Sequence, residues 1–152
     1  MEIMNTLRIP PPILAALYLS AALGLHFLIP GTRIAPARYR FLGIAILGTG
    51  IFLTGWAFRL CKKRGTTRNP YGTPTAVVAT GPFRVSRNPM YLGVSLVLLG
   101  VAIFVGTVPL FLTPLAFFLT MNAVFIPREE KTLERIFGQE YLDYKNRVRR
   151  WL

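Results

Sequence analysis

The chain has 152 residues, of which 53% are hydrophobic and only 16% are charged, and its mean hydropathy is +0.46. Soluble domains usually carry about 25% charged residues, so this composition excludes an ordinary soluble globular protein. The net charge of +12 would indicate nucleic-acid binding in a soluble chain. Here we interpret the basic residues as the flanks of membrane spans, so the expected partner is the lipid bilayer and not nucleic acid.

Four apolar stretches predict membrane-spanning helices at about residues 12–29, 41–60, 90–108 and 109–126. A stretch of this length forms a helix of about 27–30 Å, which matches the hydrocarbon core of a bilayer. We therefore predict an all-α polytopic membrane protein with four transmembrane helices. Residues 1–152 are expected to form one membrane domain, without a separate soluble domain.

The last two predicted spans are expected to form a tight helical hairpin. The apolar run Met90–Ile126 is too long for one span, and Gly106–Pro109 supplies the break. Both ends of such a hairpin return to the same side of the membrane. This geometry would bring Asn88–Tyr91 close to Arg128–Glu130.

Basic residues concentrate in the predicted loop 61–89 and in the C-terminal segment 127–152. The positive-inside rule places these segments, and a site between them, on the cytoplasmic side of a prokaryotic cell membrane, or of the endoplasmic reticulum in a eukaryote. Arg33, Arg38 and Arg40 lie on the other side and weakly oppose this orientation. An amphipathic pattern from Pro127 onward predicts a C-terminal helix that lies at the membrane interface.

The single Cys61 and the single His26 limit the chemistry of the chain. A disulfide within the chain is excluded, and a metal site is not expected because His26 has no Cys, Asp or Glu nearby. A histidine-dependent catalytic triad is nearly excluded as well. A nicotinamide-dependent reductase is disfavoured, because Gly48 and Gly50 lie within a predicted span and do not follow a strand.

Glu129 and Glu130 allow two interpretations. They can complement the positive end of a helix that begins just before them. Alternatively, with Arg84, Arg87 and Arg128, they form a cluster of both signs that suits a zwitterion, because carboxylates bind an ammonium and arginines bind a carboxylate. S-adenosylmethionine carries such an amino-acid end and a positive sulfonium.

Glycines in spans two and three also allow two interpretations. Gly48 and Gly55 are predicted to share a helix face, and Gly93 and Gly100 repeat this spacing. Small residues on one face permit close helix packing in a membrane. The alternative is a ligand notch, to which Gly50 would add space.

Two motifs, in this order along the chain, resemble those of the integral membrane methyltransferases. The first is Gly81–Gly93, which contains Asn-Pro-Met-Tyr at Asn88–Tyr91. The second is a longer pattern made of Glu129, Glu130, Leu133, Phe137, Gly138, Tyr141, Tyr144, Val148 and Arg150. The resemblance covers about residues 41–152. It implies a helical membrane fold that binds S-adenosylmethionine at the cytoplasmic ends of its last spans and methylates a lipophilic or amphiphilic acceptor from the bilayer.

The resemblance also implies roles for individual residues. The expected cofactor-binding residues are Gly48, Gly50, Arg87, Asn88, Pro89, Tyr91, Gly93, Glu129 and Glu130. From the chemistry of the transfer itself we expect Arg128, Glu130 and Glu134 to be catalytic, with Glu134 or water as the candidate base, and Arg84 and Tyr141 to orient the acceptor.

The acceptor is indicated less directly. Asn88–Tyr91 is similar to the phospholipid N-methyltransferases, whereas the tail Phe137–Tyr141 is nearer to the isoprenylcysteine carboxyl methyltransferases. Because an ammonium must first lose a proton and no histidine lies near the site, an anionic acceptor is favoured. We predict a reaction most like isoprenylcysteine carboxyl methylation, with phospholipid N-methylation as the alternative. A non-catalytic basic protein that recruits anionic lipid or a partner is the second alternative, and the oligomeric state stays open.

Overall fold

The computed structural model describes residues 9–28, 33–67 and 72–152, and the regular structure in these ranges is helical without a β-strand. In these ranges four α-helices precede a π-helical turn, and two more follow it. In chain order the elements are α1 (Pro11–Leu28), a 3-10 turn (Ala37–Tyr39), α2 (Arg40–Lys63), a second 3-10 turn (Gly81–Arg84), α3 (Pro89–Val105), α4 (Val108–Thr120), a π-helical turn (Met121–Phe125), α5 (Ile126–Phe137) and α6 (Gln139–Arg147).

Three helices in the described part of the chain are long and apolar enough to cross a membrane. They are Pro11–Leu28, Ala37–Lys63 and Val108–Phe137. The remaining predicted span, α3, is apolar but has only 17 residues. The protein is therefore an all-helical integral membrane protein in which three of the four predicted spans reach full length. The predicted end of the first span, residue 29, lies outside the described residues.

The last membrane helix is longer than predicted. We expected the span to end at residue 126 and a separate interfacial helix to begin at Pro127, but the helix runs without a break from Val108 to Phe137. Proline usually breaks a helix, because it lacks an N–H and clashes with the carbonyl four residues earlier. Here the π-helical turn Met121–Phe125 widens the backbone just before Pro127, so the helix continues through the proline. The 30 residues of this helix extend about 45 Å, well beyond a hydrocarbon core. The amphipathic segment is therefore the protruding end of the last membrane helix, which Gly138 terminates with a φ of 52°.

The predicted break between the last two spans is confirmed at Gly106. Its φ of 81° places it in the left-handed region, and its N–H donates to the Ala102 carbonyl at 2.8 Å. The Gly106 carbonyl in turn accepts from the backbone N–H groups of Ile34 and Ala35 at 2.8 and 3.2 Å. The hairpin turn is thereby tied to the chain segment between α1 and α2 at the end of the bundle opposite the cavity described below.

Helices α2 and α3 pack through glycines, which on α3 are the predicted Gly93 and Gly100 but on α2 are not the predicted pair. A Cβ built on Gly50 would lie 2.5 Å from the Gly93 carbonyl oxygen, and one on Gly43 would lie 2.8 Å from the Gly100 carbonyl oxygen. Gly48, in contrast, has nothing within 4 Å of its Cβ position, and the same holds for Gly55. The predicted packing of Gly48 and Gly55 is therefore wrong, because this face of α2 points away from α3.

Helix α1 packs against α4 on the other side of the bundle. Ala15 and Ala22 are buried there, in clusters that include Phe117 and Leu110 respectively. The Tyr18 hydroxyl is 3.0 Å from the Thr120 hydroxyl. Because α3 also packs on α4, the hairpin α3–α4 forms the centre of the bundle, with α1 and α2 on its flanks.

Candidate functional site

A cavity of about 600 Å³ lies at the end of the bundle where α1 begins, α2 ends and α3 begins. Its wall is mostly apolar, and α5 and α6 supply several polar side chains. Small-molecule sites are typically cavities of about 300–1,000 Å³ with apolar walls and a few convergent polar groups. The lining includes Pro11, Phe58, Arg87, Asn88, Tyr91, Val94, Glu129, Glu130, Tyr141 and Tyr144.

Glu130 is the centre of a buried charge cluster. It is only 6% exposed. Arg87 Nη2 lies 3.2 Å from Glu130 Oε1, while Arg150 donates from Nε to Oε1 at 3.2 Å and from Nη2 to Oε2 at 2.7 Å. Buried charges are stable only when they are paired and hydrogen-bonded, and a two-point contact between arginine and carboxylate is a strong form of such pairing. Glu130 thus joins the loop before α3 to the C-terminal end of the chain.

Tyr91 and Glu129 form a second contact between the two predicted motifs. The Tyr91 hydroxyl donates to Glu129 Oε1 at 2.5 Å. The Tyr91 ring also meets Phe117 edge-on, with ring centroids 6.5 Å apart. The structure therefore brings Asn88–Tyr91 and Glu129–Glu130 to one wall of the cavity, as the hairpin geometry predicted.

The residues Arg149–Trp151, which we call the C-terminal strap, run alongside the loop before α3. The backbone N–H of Arg87 donates to the Arg149 carbonyl at 2.9 Å, and Ser86 and Asn88 donate from their side chains to the Arg150 carbonyl at 3.3 and 3.0 Å. The Asn88 amide nitrogen is therefore engaged by the strap. Through this contact Asn88 positions the backbone of the strap, whereas the sequence suggested that its amide contacts a ligand directly.

Asn122 anchors the other side of the strap. Its Oδ1 accepts from Trp151 Nε1 at 3.1 Å and from Arg150 Nη1 at 3.3 Å. The Trp151 ring packs on Phe118, with centroids 4.6 Å apart. Asn122 belongs to the π-helical turn, so this irregularity of the last membrane helix supplies a polar side chain where the strap needs one.

Two buried tyrosines of α6 complete the wall. Tyr141 is 2% exposed, and burial, with a smaller contribution from the Glu130 carboxylate, raises its pKa to about 12 although Arg87 opposes this shift. Burial also raises the pKa of Tyr144 above its ordinary value. The Tyr144 hydroxyl donates to the Phe83 carbonyl at 2.8 Å. Both hydroxyls therefore stay neutral at physiological pH.

Several predicted site residues lie away from the cavity. Gly48 faces outward, and Gly50 and Gly93 are packed against each other between α2 and α3, so no ligand can approach their backbone there. Arg84 is exposed on the surface and does not line the cavity. The predicted roles of these glycines in cofactor binding and of Arg84 in orienting the acceptor have no geometric support.

Two of the predicted catalytic residues are also outside the cavity. Arg128 is exposed, because a position two residues before Glu130 lies on a different face of the helix. Glu134 lies one turn beyond Glu130 and pairs with Lys145 Nζ at 2.5 Å, with both side chains about one third exposed. Of the three predicted catalytic residues, only Glu130 belongs to the cavity wall.

Sequence reasoning overlooked the importance of the strap. Arg150 belongs to the second motif, but no function was predicted for it, and none was predicted for Asn122 or Trp151. One signal was available in the sequence. Arg150 belongs to the same motif as Glu130 and has the opposite charge, so an ion pair between them could have been predicted. Asn122, a polar residue in an otherwise apolar span, was a second signal.

Comparison with known proteins assigns the chain to a family. No curated protein and no solved structure matches it significantly. The phospholipid methyltransferase family matches residues 39–140, more than half of the chain. The match extends from the start of α2 into α6 and includes Asn88–Tyr91 and Glu129–Glu130, whereas the C-terminal strap lies beyond it. The chain is therefore a member of the phospholipid methyltransferase family, a family of membrane methyltransferases.

Proposed function

We propose that the protein transfers a methyl group from S-adenosylmethionine to a lipophilic or amphiphilic acceptor, and that the transfer takes place in the cavity between α2, α3 and α5. One observation carries this proposal. Tyr91–Glu129 and Arg87–Glu130 place buried groups of both signs on the wall of a cavity of about 600 Å³. The family supplies the class of reaction, methyl transfer at a membrane.

The residues present suit this cofactor. When bound, S-adenosylmethionine supplies an electrophilic methyl group on a positively charged sulfonium. Glu129, held by Tyr91, provides a carboxylate that favours a nearby positive charge. Arg87 provides buried N–H groups that have no acceptor among the described residues. The rings of Tyr141 and Tyr91 offer aromatic surface for a purine.

The chain's own contribution to catalysis is alignment and exclusion of water. An in-line displacement at a methyl group depends on the approach of the two reactants more than on proton chemistry. Pro11, Phe58 and Val94 contribute apolar surface to the cavity wall. An amine acceptor would also have to lose a proton, and Glu129 is the carboxylate of the cavity that is not held by an arginine. We therefore propose Glu129 as the base, in place of Glu134.

Two acceptor classes follow from this proposal. A carboxylate of the isoprenylcysteine type arrives ionised and needs no base, which suits a cavity whose described residues include no histidine. An ethanolamine headgroup is the second candidate, and the family match and the Asn-Pro-Met-Tyr at Asn88–Tyr91 favour it.

The cavity is proposed to face the cytoplasm. Lys62, Lys63 and Arg64 end α2 beside it, and the strap adds Arg149 and Arg150. Clusters of lysine and arginine at the ends of membrane helices mark the cytoplasmic side. Labelling of cysteines introduced at Lys63 and Arg38 in intact cells tests this orientation, with Arg38 expected to be the position accessible from outside.

Calorimetric titration of the detergent-purified protein with S-adenosylhomocysteine tests the proposed function. We expect binding by the wild type and a loss of affinity of about tenfold or more in Glu129→Gln, since the substitution removes a carboxylate that would face the ammonium group of this ligand. Glu140→Gln is a matched control, because Glu140 is an exposed acid of α6. A folded wild-type sample that does not bind would overturn the proposal and leave the non-catalytic alternative.

Transfer of a labelled methyl group then identifies the acceptor. Purified protein is incubated with labelled S-adenosylmethionine and with either a prenylcysteine analogue or a phosphatidylethanolamine bilayer. A base-labile methyl ester indicates the carboxylate acceptor, whereas a base-stable methylated lipid indicates the amine acceptor.

A further inference from the structure

The end of the bundle opposite the cavity carries a cluster of arginines without compensating acids. Arg33, Arg38 and Arg40 lie between the end of α1 and the first residue of α2, and all three are exposed. The acidic residues in the part of the chain that the structure describes all belong to α5 and α6, at the cavity end. None of the described ion pairs involves these arginines. Three positive charges at this end are therefore not balanced within the described structure.

The fold gathers these arginines around the turn that joins α3 to α4. Arg33 forms a backbone bridge with Thr107. The guanidinium carbon of Arg40 lies 5.8 Å from the centre of the Phe104 ring, in the last turn of α3. Arg38 precedes Arg40 by two residues, in the 3-10 turn. We call the three residues the hairpin arginines.

Two of the hairpin arginines lie over aromatic rings, Arg40 over Phe104 and Arg38 over Tyr39 at 5.1 Å from its centre. A ring contact engages the face of a guanidinium and leaves the N–H groups at its edge available. Arg38 also donates from Nη2 to the Tyr39 hydroxyl at 3.4 Å, which uses a single N–H. The rings thus restrict the two side chains while most of their donors stay open to an anion.

The position of Arg40 on α2 adds a second electrostatic argument. Arg40 is the first residue of this helix, and the first turn contains no acid. The N-terminus of a helix carries a partial positive charge, so a cation there is unfavourable. An anion bound at this end would interact favourably with Arg40 and with the helix terminus together.

The surface beside the hairpin arginines is apolar. Ile34, Phe41, Phe104 and Val108 are all exposed there. Helix α3 has 17 residues and extends about 25 Å, slightly less than a hydrocarbon core, which places the turn after it near the boundary with the headgroups. Lipid phosphates lie at this depth, and the acyl chains lie directly beneath them. A phospholipid matches both the charge and the apolar surface, whereas a free anion matches only the charge.

We propose that the hairpin arginines bind the phosphate of an anionic phospholipid in the leaflet opposite the cavity, with its acyl chains along Phe41 and Val108. This inference goes beyond the proposed function, because the site lies at the other end of the bundle and needs no methyl transfer. It also gives the three arginines a role in topology. Their charge alone would favour the cytoplasmic side for this end, and a bound anionic lipid neutralises it.

A tryptophan placed beside the cluster reports the lipid that surrounds it. Phe41→Trp is reconstituted into vesicles of phosphatidylcholine with a minor fraction of phosphatidylglycerol, in which one lipid or the other carries dibrominated chains that quench tryptophan fluorescence. Parallel samples without the reporter correct for the native Trp56 and Trp151. Because each arginine near a membrane surface attracts anionic lipid, we expect phosphatidylglycerol to be enriched at the reporter by about fivefold or more over its fraction in the vesicle.

Two triple variants separate a local site from the overall charge. Replacing the three hairpin arginines by glutamine should reduce the enrichment at the reporter to the vesicle average. The matched control replaces Lys62, Lys63 and Arg64 by glutamine, which removes the same charge from the other end of α2, where these residues are also exposed. The control should keep the enrichment, and an equal loss in both variants would show that only net charge matters.

Inorganic phosphate distinguishes a lipid headgroup from a free anion. Added at constant ionic strength, it should leave the enrichment unchanged, since it lacks the acyl chains. Complete displacement by phosphate would overturn the assignment of a lipid.

The inference also fails if the parent reporter protein shows no enrichment, or if the enrichment persists without the hairpin arginines. Should the triple variant not fold, Arg38→Gln decides, because it changes one exposed side chain and should still lower the enrichment. These outcomes do not depend on binding of S-adenosylhomocysteine, so they leave the proposed function to its own test.

Discussion

At the scale of single residues, the cavity depends on a few polar groups whose hydrogen bonds cross between α3, α5 and the strap. The pair Tyr91 and Glu129 shows how one side chain fixes the position of another that is distant in sequence. Tyr91 lies in the first turn of α3, and its hydroxyl fixes the carboxylate of a residue 38 positions later. A carboxylate held in this way is oriented before a ligand arrives, which reduces the cost of ordering it on binding.

Tyr91→Phe tests this orientation. The substitution keeps the ring and its contact with Phe117 but removes the hydrogen bond to Glu129. We expect a loss of about 1 kcal/mol in the free energy of unfolding and a fall of about tenfold in methyl-transfer rate, since a charged acceptor loses its donor. Tyr18→Phe is the control, because Tyr18 loses a comparable hydroxyl contact to Thr120, which does not line the cavity. Equal rates in both variants would contradict the assigned role of Tyr91.

Glu130→Gln tests the buried charge cluster. Removal of the carboxylate leaves the buried Arg87 without its partner, beside Arg150, whose side chain is 34% exposed. Breaking a buried ion pair costs about 3 kcal/mol or more, so we expect a large fall in the free energy of unfolding, measured in mixed micelles. Glu134→Gln breaks the pair with Lys145, whose two side chains are about one third exposed, and should cost less than about 1 kcal/mol. Similar losses in the two variants would show that Glu130 is not effectively buried.

At the scale of elements, the contact between α2 and α3 determines how closely two walls of the cavity approach each other. Gly50 lies against Gly93 and Gly43 against Gly100, so two backbones meet without intervening side chains. Thr54 and Tyr91 line the cavity one helical turn or less from this contact. Close packing of small residues is the main attraction between helices in a bilayer, where lipid tails are as apolar as the helices.

Gly50→Ala and Gly48→Ala form a matched pair on the same helix. The Cβ at residue 50 would lie 2.5 Å from the Gly93 carbonyl oxygen, so the helices must separate, and we expect a loss of about 1–3 kcal/mol in the free energy of unfolding. The Cβ at residue 48 meets nothing, and replacing glycine by alanine in a helix is favourable by about 1 kcal/mol. Unfolding in mixed micelles should therefore show opposite effects. A destabilised Gly48→Ala would mean that this face has a partner.

The π-helical turn is the element that the sequence did not reveal. A proline at residue 127 predicted a helix end, because proline usually begins a helix or breaks one. In the structure the extra residue of the turn Met121–Phe125 accommodates the proline and rotates Asn122 toward the strap. The last membrane helix therefore carries Glu129 and Glu130 on a rigid element, which positions a site more accurately than a loop would.

At the scale of the whole molecule, the strap closes the fold around the cavity. It binds the loop before α3 through Arg87 and Asn88 and the last membrane helix through Asn122 and Glu130. These contacts join residues that are far apart in the sequence but within hydrogen-bonding distance in the fold. The final residues of the chain therefore contribute to the site as much as the two motifs do.

Removal of the strap should open the cavity wall. A chain that ends at Val148 lacks Arg149–Leu152, and we expect it to lose binding of S-adenosylhomocysteine and to unfold at lower temperature, because Glu130 loses Arg150 and Asn122 loses both Arg150 and Trp151. A chain that lacks only Leu152, which is 66% exposed, is the control. Unchanged calorimetric binding by the shorter chain would show that the strap is dispensable.

The sequence predicted three of the membrane spans, the break at Gly106 and the pairing of two motifs, because each depends on a local property. Hydrophobic runs, a glycine before a proline and a turn-rich basic segment can be recognised without knowledge of their neighbours. The glycine face of α2 could not be recognised in this way. Gly43, Gly48, Gly50 and Gly55 are chemically identical, and only the position of α3 distinguishes those that pack from those that face outward.

The amino-acid sequence by itself determined that this protein is helical, lies in a membrane and has its charged residues at the ends of a hairpin, because these features follow from composition and periodicity. Only the tertiary structure decided which of those residues share a cavity. Arg84, Arg128 and Glu134 are as polar as Arg87 and Glu130, and they differ only in the direction in which the backbone points them. Burial turns Arg87 and Glu130 into a site, since a charge away from water must find a partner, and burial is a property of the folded chain.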